Sequence, residues 1–153
     1  MGYAIMNELV ILVAEDRPAD VLLLKHAFRK AGVGVSLHFV SDGQEAVDYL
    51  NGDERFGNRA EYPLPTLLLL DLNMPRLNGF DVLDWVRHRP GLRRLVVVVF
   101  TTSDLPEDIA RAYELGVNSY MIKPPELANL EEIAHHLEHY WFKLNRCPDC
   151  VPG

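Results

Sequence analysis

Cysteine is nearly absent from this chain: two of 153 residues, Cys147 and Cys150, both at the C-terminal end. One C-x-x-C without a second pair, or histidines at finger spacing, makes a poor zinc site, and no strand-then-helix setting surrounds it as in a redox motif. We read the two as thiols of a frayed tail. Also missing is any apolar run near the roughly 20 residues that span a bilayer, and the N-terminus lacks the basic, apolar and small-residue regions of a signal peptide. A cytoplasmic protein is expected. Positive charge is scarce too: 15 Lys and Arg face 22 Asp and Glu for a net charge of -7, which repels phosphate backbones and anionic lipid. Contact with nucleic acid or a membrane is therefore not expected, and partners should be proteins or a metal ion. No internal repeat or low-complexity segment is visible.

What is present is the composition of a folding chain, with 48% hydrophobic and 24% charged residues. Its length suits one domain over residues 1–153, with a core at about 8–146 and a tail at 147–153. Short apolar runs alternate five times with longer segments of helical period, the pattern of βα units around a parallel sheet. The runs predict strands at 9–14, 35–40, 66–70, 95–100 and 119–122, and helices at 20–31, 44–50, 80–89, 106–115 and 127–145. Residues 67–70 and 96–100 are apolar at every position, as expected of central strands covered by helices on both faces. Gly32 ends the first helix, Pro90 cannot continue the third, and Pro106 suits the first turn of the fourth after a Ser103-Asp104 cap. Residues 51–65 read as a long loop.

In a parallel α/β sheet, residues just past the carboxyl ends of neighbouring strands converge on one crevice. This sequence places Glu15 and Asp16 there after strand one, Asp71 after strand three, Thr101 and Thr102 after strand four, and Lys123 after strand five. Any one of these acids alone would read as a solvated loop residue. Together, three carboxylates repel one another unless a cation joins them, and a hard divalent ion with oxygen ligands fits. Mg²⁺ would keep several waters and take Asp16, Asp71 and the backbone carbonyl of Asn73, with Glu15 reaching it through water.

The strings VAED, LLLLDLNMPRLNGF, VVVFTTS and YMIKPP, in this order, resemble the motifs of response-regulator receiver domains, the CheY-like family. Gly79 lies eight residues after Asp71, Thr101 ends strand four, and Lys123-Pro124 follows strand five, as that pattern asks. The resemblance implies a (βα)5 doubly wound, flavodoxin-like fold with five parallel strands in the order 2-1-3-4-5. It implies a phosphorelay protein of a two-component system rather than an enzyme, with a sensor histidine kinase as phosphoryl donor. Asp71 resembles the phosphoacceptor, Glu15 and Asp16 the acidic pair that holds Mg²⁺, Lys123 the phosphoryl counter-ion, Thr101 the switch hydroxyl and Tyr120 the aromatic switch residue. A strand tyrosine that simply packs its ring is the bland alternative for Tyr120. Output would leave through the α4-β5-α5 face. Glu15 in place of the commoner Asp, and the long 51–65 loop, depart from the usual pattern. The combination of EDRPAD, TTSDLPED and an aromatic-rich last helix is similar to single-domain regulators that serve bacterial phytochromes.

Two other readings compete. An aspartate-nucleophile hydrolase of the haloacid dehalogenase type also sets an Asp after an apolar strand, but needs a second Asp where Asn73 stands. A pseudo-receiver would bind partners without phosphorylation. The last helix carries an apolar stripe of Leu127, Leu130, Ala134, Leu137, Trp141 and Leu144. Ile133 and Tyr140 widen it and Phe142 lies outside it, more apolar surface than one buried face requires. A homodimer through this helix, burying Ile133, Tyr140 and Phe142, is expected.

Overall fold

The computed structural model describes residues 9–148. Five strands, β1 (Val10–Ala14), β2 (Ser36–Val40), β3 (Leu67–Leu70), β4 (Val96–Thr101) and β5 (Ser119–Ile122), form one parallel sheet in the order β2-β1-β3-β4-β5. Five helices follow them: α1 (Pro18–Ala31), α2 (Gly43–Asn51), α3 (Gly79–His88), α4 (Pro106–Glu114) and α5 (Leu127–Leu137). Alternate residues of each central strand serve opposite faces. Leu12, Leu68, Leu70, Val97 and Val99 pack with residues of α2, α3 and α4, while Ile11, Val13, Leu67, Leu69 and Val98 pack with α1 and α5. This double burial explains why β1, β3 and β4 are apolar throughout rather than alternating. The expected doubly wound fold, with its strand order, is the one observed.

Element ends follow local chemistry. Gly32 closes α1 with a left-handed φ of 69°, and an Asn78/Asp81 capping box opens α3. Helix α1 starts two residues ahead of the predicted bound because Pro18 takes the first helical turn. Helix α4 differs from expectation: its N-cap is Leu105, without a side-chain cap, and Ser103 Oγ instead donates to Asp108 Oδ2 at 2.6 Å. The 51–65 segment is an anchored loop with a 3-10 turn at Glu54–Phe56. Tyr49 lies 5.2 Å from the Phe56 ring and 5.9 Å from the Tyr62 ring, and its hydroxyl donates to the Pro63 carbonyl at 2.8 Å. Arg59 donates to the carbonyls of Tyr49 and Leu50 at 2.8 and 2.9 Å, satisfying the open C-terminal end of α2.

The largest departure lies at the end of the chain. The single helix expected over 127–145 becomes a π-helix at Glu138–Leu144, closed by Asn145 N–H on the Tyr140 carbonyl at 2.6 Å. Wider turns rotate the side chains away from their α-helical directions. Leu130, Ala134 and Leu137 are buried as the stripe predicts, but Leu144 is 61% exposed, and Phe142 turns in beside Trp141 against the α1/α5 core. Ile133 is also partly buried there, so Tyr140, 52% exposed, is the interface candidate that keeps most of its surface. Cys147 corrects the frayed-tail reading, since it packs against the same core with Sγ 3.4 Å from Asn145 Nδ2. Cys150 lies outside the described residues.

Arg87 near the end of α3 ties three segments together. Its guanidinium donates to the carbonyls of Gly116, Arg93 and Leu95 at 2.8, 2.9 and 2.8 Å and to Asn118 Oδ1 at 2.9 Å. Replacing Arg87 by Ala should lower unfolding stability by about 2 kcal/mol, since several acceptors lose a charged donor in a partly solvated setting. Lys should not rescue it, having no planar fork. Denaturant unfolding of the Ala and Lys variants checks this; wild-type midpoints for both would show that the network contributes little.

Candidate functional site

Strand register builds the site. Ala14 pairs with both Val40 and Leu70, and Leu70 with Val99, so β1, β2 and β3 end side by side while β4 runs on to Thr101, level with the end of β5. The ladder runs on past these ends: Glu15 N–H donates to the Val40 carbonyl, Asp71 N–H to Ala14 and Lys123 N–H to Thr101. Backbone hydrogen bonds thus fix where the Glu15, Asp71 and Lys123 side chains start.

One carboxylate oxygen from each of Glu15, Asp16 and Asp71 can be chosen so that all three lie within 4.8 Å of one another. Glu15 and Asp71 are buried, at 2% and 5% exposure. Lys123 Nζ donates to Asp71 Oδ2 at 2.8 Å, to Asp20 Oδ2 at 3.2 Å and to Glu15 Oε2. On its other oxygen, Asp71 Oδ1 accepts the Thr101 hydroxyl at 3.0 Å and Asn73 N–H at 3.1 Å. Each of these residues except Asp20 was expected at this edge from the sequence, Asn73 through its carbonyl rather than the N–H seen here. Asp20 stands in the quoted EDRPAD string and in the first turn of α1, just past the acidic pair, and that closeness in sequence was the available signal.

Electrostatics divides the two buried carboxyls. Burial pushes Glu15 up to about 7, against the opposing pull of Lys123 and Arg17 N–H. Burial also works against Asp71, but the Lys123, Asn73 and Thr101 hydrogen bonds prevail and hold its carboxyl below the usual range. Lys123 is likewise penalised by burial, and its bonds to Asp71 and Glu15 nonetheless hold it above its ordinary value. Asp71 is therefore an ionised, buried carboxylate beside a fixed ammonium.

Asp16 Oδ1 is buried without a hydrogen-bond partner among the described residues. An orphaned carboxylate oxygen beside two others is the donor set a hard divalent cation completes, so these residues fit such an ion. Gly79 is needed for close approach: a Cβ there would stand 2.3 Å from the Asp71 carbonyl and 2.7 Å from Leu72 Cα. Tyr120 is partly buried against the α2/α3/α4 side, and its hydroxyl donates to the Ser103 carbonyl at 2.8 Å.

Comparison with known proteins agrees with this geometry. The family model "Response regulator receiver domain" matches residues 11–135. The chain is 37% identical over 139 residues to the probable methanogenesis regulatory protein FilR2 of Methanothrix harundinacea, covering 91% of this chain and 87% of that one. It is 34% identical over 139 residues to response regulator Rcp1 of Synechocystis, covering 91% and 92%. The Mn(2+)-bound form of Rcp1 superposes with a TM-score of 0.80 at 33% identity, over 92% of this chain and 99% of that one. The phosphorylated cyanobacterial phytochrome response regulator RcpA superposes with a TM-score of 0.85 at 34% identity, over 94% of this chain and all (100%) of that one. With the family pattern, the sheet order and the overall shape agreeing over most of its length, the chain belongs to the response-regulator receiver domain family.

Proposed function

We propose that this protein accepts a phosphoryl group on Asp71 from a phosphohistidine of a sensor histidine kinase, with Mg²⁺ as cofactor. The observation that carries this reading is the buried Asp71 carboxylate, kept ionised by Lys123 beside the orphaned oxygen of Asp16. Similarity to a phytochrome response regulator favours a photoreceptor kinase as the donor. Asn73 carries a side-chain amide where the dehalogenase-type hydrolase needs a second acid, which disfavours that alternative.

An Asp71 oxygen forms the bond to phosphorus as the bond from phosphorus to the imidazole nitrogen breaks. The imidazole departs with that electron pair and takes a proton from water. Charge on the transferring group needs cations more than it needs a general base. Asp16, Asp71 and the Asn73 carbonyl would hold Mg²⁺, with Glu15 through water, and the ion supplies positive charge at the phosphoryl oxygens. Lys123 supplies the second cation. Water attack on the same phosphorus later returns the Asp71 carboxylate and inorganic phosphate, so the module also assists its own resetting.

Thr101 already donates to Asp71, so switching calls for handing that hydroxyl from the carboxylate to a phosphoryl oxygen. Ser103 lies two residues on and its carbonyl receives Tyr120, so a shift at Thr101 displaces the acceptor that anchors the aromatic ring. Leu105, Tyr113 and Ile122 expose apolar surface on the same side, at 50%, 52% and 43%, which supports the α4-β5-α5 face as the output. For self-association we retain the end of the last helix, centred on Tyr140 with Leu144 beside Ile133 and Phe142 at the margin.

Three outcomes test this function. Intact mass after treatment with a small phosphodonor and Mg²⁺ should show one added phosphoryl group that hydroxylamine removes, absent in Asp71→Asn. Uptake by that variant at wild-type stoichiometry would falsify the assignment. A second test uses pH. Folded Glu15 keeps its proton to about 7 while the unfolded group loses it near 4.5. Its stabilisation is complete below about 4.5 and lost as pH rises through about 7, whereas that of Asp71 is present above 3.8 and lost as pH falls through its lowered folded value. Mg²⁺ needs the Glu15 carboxylate, so its affinity should rise about tenfold from pH 6 to 8, and a flat titration would contradict the ligand role. Third, sedimentation at high micromolar concentration should show a wild-type dimer and a Tyr140→Glu monomer; two monomers would remove the dimer.

A further inference from the structure

Lys123 sits on a long, flexible stem, yet its ammonium is held from three directions. Nζ carries three N–H donors. The structure meets them with three carboxylates from three elements: Asp71 past the end of β3, Glu15 past the end of β1 and Asp20 in the first turn of α1. The Lys123 side chain is only 10% exposed, so water is poorly placed to replace a lost acceptor. Asp20 is not one of the three carboxylates whose oxygens gather within 4.8 Å. It therefore touches the reacting lysine without belonging to the metal cluster.

We propose that Asp20 is a positioning residue for phosphoryl transfer, one that holds the Lys123 ammonium from the α1 side so that its remaining N–H points at Asp71. The inference rests on Asp71 being the phosphoacceptor. Glu15 and Asp20 act as two anchors of the lysine besides Asp71. When Asp71 is phosphorylated, only the N–H on its Oδ2 has to move to a phosphoryl oxygen, and the other two bonds keep the charge where negative charge develops. A lysine anchored by Glu15 alone would regain rotamers that leave the site.

The test compares wild type with Asp20→Ala, Asp20→Asn and Asp16→Ala in two measurements: the rate of phosphorylation by a small phosphodonor at saturating Mg²⁺, and a Mg²⁺ titration without donor. Asp20→Ala should be slowed about fivefold, the scale of one net hydrogen bond, with Mg²⁺ affinity within about twofold of wild type. Asp20→Asn should recover most of the rate, because its amide oxygen still accepts the N–H. Asp16→Ala should lose Mg²⁺ affinity strongly. The inference is overturned by a wild-type rate in Asp20→Ala, by Asn rescuing no better than Ala, or by Mg²⁺ affinity in Asp20→Ala falling as far as in Asp16→Ala. Absence of uptake by wild type overturns the phosphoacceptor reading along with it, whereas wild-type uptake with an unaffected Asp20→Ala overturns this inference alone.

Discussion

The Lys123 ammonium pairs with Glu15, Asp20 and Asp71 at once, and the arrangement of this sheet edge depends on it. A buried carboxylate without a partner takes up a proton and is lost as a nucleophile. Here a single cation is shared, and the two buried acids respond in opposite ways. Asp71, which also accepts from Thr101 and Asn73, is held ionised; Glu15, with fewer donors for its burial, is pushed up to about 7. Two neighbouring carboxyls are thus driven apart by their surroundings. The orphaned oxygen of Asp16 shows that one positive charge does not complete the cluster.

That arrangement is a consequence of backbone hydrogen bonding. The ladder bonds of Glu15, Asp71 and Lys123 extend the sheet one residue past its strands, so the side chains leave from the rigid end of a packed core. The connection from Thr101 through Ser103 to α4 leaves from the same sheet edge. The two hydroxyl bonds, Thr101 to Asp71 and Tyr120 to Ser103, meet on that connection, and it joins the buried site to the exposed Leu105, Tyr113 and Ile122.

At the other side of the sheet, α5 and the π-helix show how packing overrides a repeat. The Glu138 carboxylate accepts Gly34 N–H at 3.0 Å, binding the start of the π segment to the turn after α1. Past that anchor the wider turns bring both Trp141 and Phe142 to the core and leave Tyr140 and Leu144 exposed.

Much of this was legible in the linear chain. Strand and helix order followed from apolar periodicity, because a sheet buried on both faces demands continuous apolar runs. Asp16, Asp71, Thr101 and Lys123 could be placed in one crevice because parallel strands bring their carboxyl ends together. Tertiary structure alone decided the rest. Asp20 joined the site through the packing of α1 against the sheet, which no strand-end rule encodes. Thr101 proved to be already bonded to Asp71, and Cys147 already packed. The sequence period of α5 assumed a constant 3.6-residue turn, and the π-helix broke that assumption where Glu138 meets Gly34, distant in sequence, and Trp141 and Phe142 both pack on the core.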